Sequence, residues 1–245
     1  MHAAHQIINY QQAIINSCLP TYYTGASVIE TPICNLPVDK SLRSELLQTG
    51  EFSTMSQNID EMEHSGEMQY PYIAQIYTEV KSNSRKDTIS PIHILPIMVG
   101  ATSESKHFGH LLAPILSRSN IFTVISTDFC HWGSRFGYSP TKSPKTQPQQ
   151  SFCEIHEYIE WLDRQGMEKI SLQDPGAFAK YMKTYKNTIC GKYPIGVYLN
   201  ALHKQKESRS EEVVLQFVKY AQSSRVRSVS ESSVSYASAV ARKIL

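Results

Sequence analysis

No apolar run in this 245-residue chain approaches the roughly 20 residues a helix needs to cross a bilayer. Nor does Met1–Gln6 show the charged and apolar regions of a secretory signal. Cysteine is sparse: Cys18, Cys34, Cys130, Cys153 and Cys190 are scattered, odd in number and without a Cys-x-x-Cys pair. That pattern argues against a disulfide framework and for a reducing compartment. The net charge is only +2, so no nucleic-acid or membrane-surface partner follows from charge. Internal repeats are absent. The expectation is a soluble cytoplasmic or nuclear protein. What the chain does have is 41% hydrophobic residues over a length able to bury a sizeable core. One α/β domain spanning 1–245 fits these bounds.

Hydrophobic spacing sets out the expected elements. Residues 3–15 (AAHQIINYQQAII) are read as a helix, and 17–39, with Pro20, Pro32 and Pro37, as loop around a short strand at 26–30. Helices are expected at 40–47 and 67–80, the latter starting or kinking at Pro71. The dense apolar strand 88–99, the helix 103–116 and the strand 121–127 suggest a parallel crossover. The proline-rich stretch 138–150 is a surface loop. A helix over 154–165 would end at Gly166, and Asp174-Pro175 caps the next one. Another helix begins at Pro194. Strands at 213–220 and 234–240 flank a serine-rich segment, 222–235, expected as part of an ordered strand pair.

The sequence Asp128-Phe-Cys-His131-Trp-Gly133 follows the strand 121–127 directly. It should lie at a strand's C-terminal end, where open α/β sheets bind ligands. Asp128, His131 and Cys190 can each ligate a first-row metal. The plainer alternative makes Asp128 a turn cap and His131 a hydrogen-bonded residue near Trp132. Neighbours on a strand point to opposite faces, so Cys130 makes a poor pair with His131 and is expected to be buried. Cys190 with His131 stays open as a nucleophile and base, and a helix starting near Pro194 would favour a Cys190 thiolate. His64, in Glu61-Met-Glu-His64-Ser65-Gly-Glu67-Met, is a candidate acid, base or ligand contact. Ser65 is a candidate helix cap. Glu63 and Glu67 could equally be surface charges, with His64 packing the turn. The other histidines show no such context.

Five ordered blocks carry a family resemblance. They are Glu63-His64-Ser65-x-Glu67-Met68, Val99-Gly100-Ala101-x-Ser103-Glu104-Ser105-Lys106, Ser126-x-Asp128-Phe129-Cys130-His131-Trp132-Gly133-x-Arg135-Phe136, Asn187-Thr188-Ile189-Cys190-Gly191-x-x-Pro194-Ile195-Gly196-Val197, and Tyr220-Ala221-Gln222-Ser223-Ser224 with Ser232-Ser233-Val234-Ser235-Tyr236-Ala237. From about Cys18 onward the chain resembles the Memo (mediator of cell motility) family, itself similar to LigB-like class III extradiol dioxygenases. The resemblance implies a three-layer α/β/α sandwich around a mixed, mainly parallel sheet. It also implies a pocket to which Asp128, His131 and Cys190 correspond. In the family, iron or copper is held mainly by two N-terminal histidines and the cysteine that matches Cys190. Members are described as cytosolic adaptors that bind a phosphotyrosine segment of a receptor kinase, with links to cytoskeletal and redox signalling.

The family's His-Ala-Gly-Tyr and Gly-Pro-Ser-His-His segments, each following an early strand, do not occur here. Residues 1–17 therefore read as the remnant of an N-terminal helix, and the chain as a truncated or alternatively spliced member or an incomplete gene model. Without those strands, 89–99 and 121–127 are expected to expose unpaired edges, an aggregation liability. Cys190 is then the one clear metal ligand, with Asp128 and His131 as further candidates, and no cofactor is expected in this form. The favoured expectation is a non-enzymatic signalling adaptor that receives a phosphopeptide or small ligand around His64, Asp128, His131 and Cys190. A metal-dependent redox or dioxygenase-like enzyme is the alternative, and a Cys–His hydrolase using Cys190 and His131 the third.

Overall fold

The computed structural model describes residues 5–10, 21–83, 91–141, 152, 154–209 and 213–243. The chain forms two compact units, Met1–Glu104 with Pro114–Ser126, and Ser105–Ala113 with Thr127–Leu245.

The first unit holds β1 (His5–Tyr10), β2 (Thr21–Tyr23), β3 (Val28–Ile29), β4 (Leu36–Pro37), α1 (Lys40–Gln48), β5 (Phe52–Thr54), α2 (Gln57–Met62), α3 (Tyr70–Asn83) and β6 (His93–Met98). The helix α4 (Ser105–Leu116) follows, divided between the units ahead of Pro114, and then β7 (Ile121–Ile125). Five strands form one sheet in the order β5-β2-β6-β1-β7. The β2–β6 junction is antiparallel and the others are parallel, as a mixed, mainly parallel sheet requires. β3 and β4 pair separately.

β1 is the main departure from the sequence reading. Residues 5–10 form no helix; they run parallel between β6 and β7, with His5 opposite both His93 and Ile121. The reason is backbone satisfaction. A strand in that slot pairs the facing N–H and C=O groups of two neighbours, whereas the helical spacing of 3–15 is irregular and Ile7 and Ile8 favour extended backbone. The facing edges of β6 and β7, expected to stand unpaired, are thus both covered. The rest of 1–17 lies outside the described residues.

Local rules explain the other elements of this unit. Asp39 caps α1, its carboxylate accepting the Leu42 N–H at 2.9 Å, and α1 buries Leu42 and Leu46. Pro71 sits in the first turn of α3, where its missing N–H costs nothing. Leu36, Met55, Ile73, Ala74, Ile92, Ile94 and Met98 form a buried cluster.

The second unit contains β8 (His131–Trp132), a 3-10 turn at Ser134–Phe136, α5 (Ile155–Ser171), α6 (Pro175–Tyr185), α7 (Lys192–Arg209), β9 (Val213–Gln222) and β10 (Ser233–Lys243). The last two make a long antiparallel hairpin that also pairs with β8. α5 does not stop at Gly166 but runs on to Ser171. Gly166 lies against α6: a Cβ there would fall 2.9 Å from Tyr181 Cε1, so close packing and not a C-cap accounts for the glycine. Gly109 plays the same part between α4 and α7, where an added Cβ would lie 2.6 Å from Asn200 Cβ. Asp174 accepts the Ala177 N–H at 2.9 Å and Pro175 opens α6, as the sequence reading has it. Of the stretch 138–150, residues 142–150 lie outside the described residues.

Candidate functional site

Two loops of the second unit, 127–131 and 187–191, are stitched together by backbone and short polar side chains. The Cys190 N–H donates to the Asp128 carbonyl at 3.3 Å, and the Asp128 N–H donates to Cys190 Sγ at 2.9 Å. Thr127 Oγ1 accepts the Gly191 N–H at 2.9 Å. Thr188 Oγ1 accepts the His131 N–H at 2.7 Å and returns a bond to the His131 carbonyl at 2.9 Å. The fold thus brings Asp128, His131 and Cys190 together, the first and last from loops and His131 from the start of β8. Thr127 and Thr188 were missed as contributors. Their signal was a threonine one residue before Asp128 and another two residues before Cys190.

The side chains take distinct positions. His131 Nδ1 lies 3.1 Å from the Phe129 carbonyl and 3.0 Å from the Thr188 carbonyl, which fixes the proton on Nδ1. Nε2 then faces Asp128 Oδ2 at 3.7 Å. The Asp128 side chain is 42% exposed and that of His131 23%. Phe136 meets the His131 ring edge-on at 5.2 Å, and the Arg135 guanidinium lies 4.4 Å above the Phe136 ring. One face of the site is therefore cationic and aromatic.

Cys190 is half-buried, and burial pushes its thiol above the ordinary value; the bonds from the Asp128 N–H and Thr127 pull the other way without prevailing. The thiolate expected from a nearby helix N-terminus is not favoured, because α7 begins two residues later and desolvation dominates. Among the described residues neither ring nitrogen of His131 bonds Cys190 Sγ, so the two do not form a nucleophile–base pair. Cys130 is fully buried, as expected, although it lies in the loop ahead of β8 and not in a strand, and burial pushes its thiol up.

Behind the site lies Asp163, which the sequence reading missed. Its carboxylate has no exposed surface and accepts from the Cys130 N–H (3.2 Å), Asn187 Nδ2 (2.9 Å) and the Tyr220 hydroxyl (2.9 Å). One buried carboxylate thus ties both loops to the β9–β10 hairpin. Burial raises its pKa to about 6 against these opposing hydrogen bonds. An aspartate on the apolar face of α5, one residue after Leu162, was the available signal.

His64 belongs to the first unit. It is exposed, in the turn between α2 and α3, and its carbonyl accepts the Met68 N–H at 3.1 Å. Ser65 caps no helix: its hydroxyl donates to Glu63 Oε1 at 2.8 Å, while its carbonyl accepts from Ser126 Oγ at 2.8 Å. Glu63 is not a surface charge; it is buried and also holds the Gly66 N–H at 3.0 Å. A cleft of about 660 Å³ in this unit is lined by Glu30, Asp60, Glu61, Glu63 and Glu67 and by no basic side chain among the described residues. Its sign makes it unsuited to an anion, and His64 does not line it.

Among the described residues no group of three or more His, Cys, Asp or Glu side chains is placed to hold a metal ion. Cys190 Sγ already accepts a backbone N–H, and its neutral thiol is favoured. The described donors do not fit the iron or copper that the resemblance implies. No helix among them is long and apolar enough to cross a membrane.

Comparison with known proteins agrees with these blocks. Residues 19–240 match the model of the Memo-like protein family. Protein MEMO1 of Rattus norvegicus is 43% identical over 216 residues, covering 87% of this chain and 67% of the relative. Protein MEMO1 of Homo sapiens is 42% identical over the same length and shares. The memo-1 homolog of Caenorhabditis elegans is 37% identical over 228 residues, 92% of this chain and 60% of the relative. The chain belongs to the Memo-like protein family.

Proposed function

We propose that this chain is a non-enzymatic signalling adaptor of the cytoplasm or nucleus, linked to cell motility, whose second unit binds a phosphotyrosine-bearing segment of a receptor or other signalling protein. The observation that carries the reading is the Arg135 guanidinium over the Phe136 ring, with Phe136 edge-on to His131, beside the stitched loops. A guanidinium offers a forked pair of donors to phosphate, and an aromatic edge suits the phenyl ring that bears it. Lys192, whose ammonium lies 5.0 Å from the Tyr193 ring, adds positive charge two residues after Cys190. The raised Cys190 thiol, without a base, favours binding over covalent catalysis. No cofactor is required for this role.

Calorimetric titration with a phosphotyrosine peptide and its unphosphorylated form tests it. Binding should be confined to the phosphorylated peptide, and Arg135→Ala should weaken it about tenfold or more, the range for a lost charge-assisted contact. Equal affinity for both peptides would sink the reading.

A further inference from the structure

The serine-rich connection between β9 and β10 takes no part in the stitched loops. Its centre is anchored at one point: Val226 is fully buried, and its carbonyl accepts the His156 N–H at 3.0 Å. Arg225 and Arg227, on either side of that anchor, are both exposed, as are Ser228, Val229 and Ser230. Among the described residues neither guanidinium makes a hydrogen bond or ion pair; the backbone N–H groups of Arg227 and Ser228, and to a lesser degree the Arg227 charge, hold the Glu231 carboxyl below its ordinary range. The turn is closed by local bonds, among them the Glu231 N–H to the Ser228 carbonyl (3.1 Å) and the Ser230 N–H to Ser228 Oγ (3.3 Å). Glu231 accepts the N–H groups of Arg227 (2.7 Å) and Ser228 (3.2 Å), and the Ser228 and Ser230 hydroxyls lie 2.8 Å apart.

We propose that Ser230 is a phosphoacceptor for an arginine-directed serine/threonine protein kinase. The segment reads Arg225-Val-Arg227-Ser-Val-Ser230, which puts guanidinium groups five and three residues before the hydroxyl. A kinase cleft that carries carboxylates upstream of its reaction centre recognises that spacing through forked, charge-assisted hydrogen bonds. Ser228 fits less well, since Arg227 adjoins it directly and the nearest upstream arginines then stand one and three residues before it. The irregular turn offers the access that ladder-bound serines such as the buried Ser233 and Ser235 lack. Chemically, Ser230 Oγ attacks the γ-phosphorus of ATP. The new O–P bond forms as the bond to the bridging oxygen breaks, ADP leaves, and the hydroxyl proton passes to the kinase's catalytic carboxylate. The product places a dianion among two arginines and in competition with Glu231 for the turn's N–H groups.

The test is incubation of the intact chain with ATP and a recombinant kinase that requires arginine at both upstream positions, read by intact mass and fragment sequencing. The expected result is one phosphoryl group, located on Ser230. Ser230→Ala should abolish incorporation and Ser230→Thr should retain it. Arg225→Ala and Arg227→Ala, both at exposed positions, should each slow incorporation about tenfold or more. Absence of incorporation, incorporation at Ser228 or elsewhere, or unchanged rates in the arginine variants would each overturn the proposal.

Discussion

Asp128 and Cys190 hold one another by two bonds that run in opposite directions: the Cys190 N–H donates to the Asp128 carbonyl, and the Asp128 N–H to Cys190 Sγ. The sulfur of Cys190 therefore acts as an acceptor within the fold. Cys190→Ala removes the sulfur that accepts the Asp128 N–H and should cost about 1 kcal/mol, the range for one lost hydrogen bond. Cys190→Ser, which keeps an acceptor, should cost less. Thermal or urea unfolding of the two variants checks the order.

The raised thiol of Cys190 makes a kinetic prediction. Only the thiolate is alkylated, so reaction with iodoacetamide should be slow at neutral pH and still climbing above pH ~9, where an ordinary thiol levels off. Peptide-resolved mass spectrometry across pH measures this directly. A plateau near neutral pH would show a base or cation activating the sulfur.

Asp163 predicts an inverted stability profile. Its folded-state pKa, about 6, lies above the ordinary 3.8, so the folded chain binds the proton more tightly than the unfolded chain. The associated stability is fully present below about pH 4 and is lost as pH rises through about 6. Because the carboxylate is buried, the term is on the order of 3 kcal/mol at most. Asp163→Asn keeps the size and the acceptor oxygen but cannot titrate. The difference in unfolding free energy between wild type and this variant should therefore change between pH 4 and pH 7, and a constant difference would contradict the assignment.

Much of the second unit was legible in the sequence because local rules decided it. Asp174-Pro175 could scarcely do anything but open a helix, and the alternating β9 and β10 segments carried their own pattern. The meeting of Asp128, His131 and Cys190 was legible only through the family blocks, since the bonds joining 127–131 to 187–191 cross some 60 residues of intervening chain. Asp163 was missed because composition and periodicity score an aspartate as a surface charge; its burial depends on three partners from other elements. β1 failed for the opposite reason. Within 3–15 only Ile7 and Ile8 lean towards extended backbone, and the demand for a strand comes from β6 and β7, which lie far along the chain.

That placement of β1 makes a further prediction. Amides of residues 5–10 paired with both neighbours should exchange slowly with solvent, whereas a frayed terminal helix would exchange at once. Removing residues 1–10 would uncover the facing edges of β6 and β7, and the shortened chain should self-associate. Light scattering of the shortened and intact chains at equal concentration measures the difference; equally monodisperse solutions would show that the slot does not need β1.

Gly133, next to His131 and Trp132, sits where the β8 segment comes closest to the serine-rich turn. Its φ is +128°, a region nearly closed to residues with a Cβ, and a Cβ built there would lie 2.7 Å from Ser232 Cβ and 3.0 Å from the Glu231 carbonyl. Gly133→Ala must therefore strain the backbone and push the turn away together, at a cost of about 2–3 kcal/mol. The displacement would reach β8, because His131 and Trp132 pair with Val234 and Ser233 of β10 directly beyond that turn. Loss of stability should thus come with a larger loss of phosphopeptide affinity than Gly137→Ala produces. Gly137 also has a positive φ, +65°, but nothing lies within 4 Å of its built Cβ, so its substitution carries backbone strain without the collision. Unfolding free energies and peptide titrations of the two variants, side by side, separate strain from displacement. Equal affinity losses would mean that the turn does not support the His131 strand.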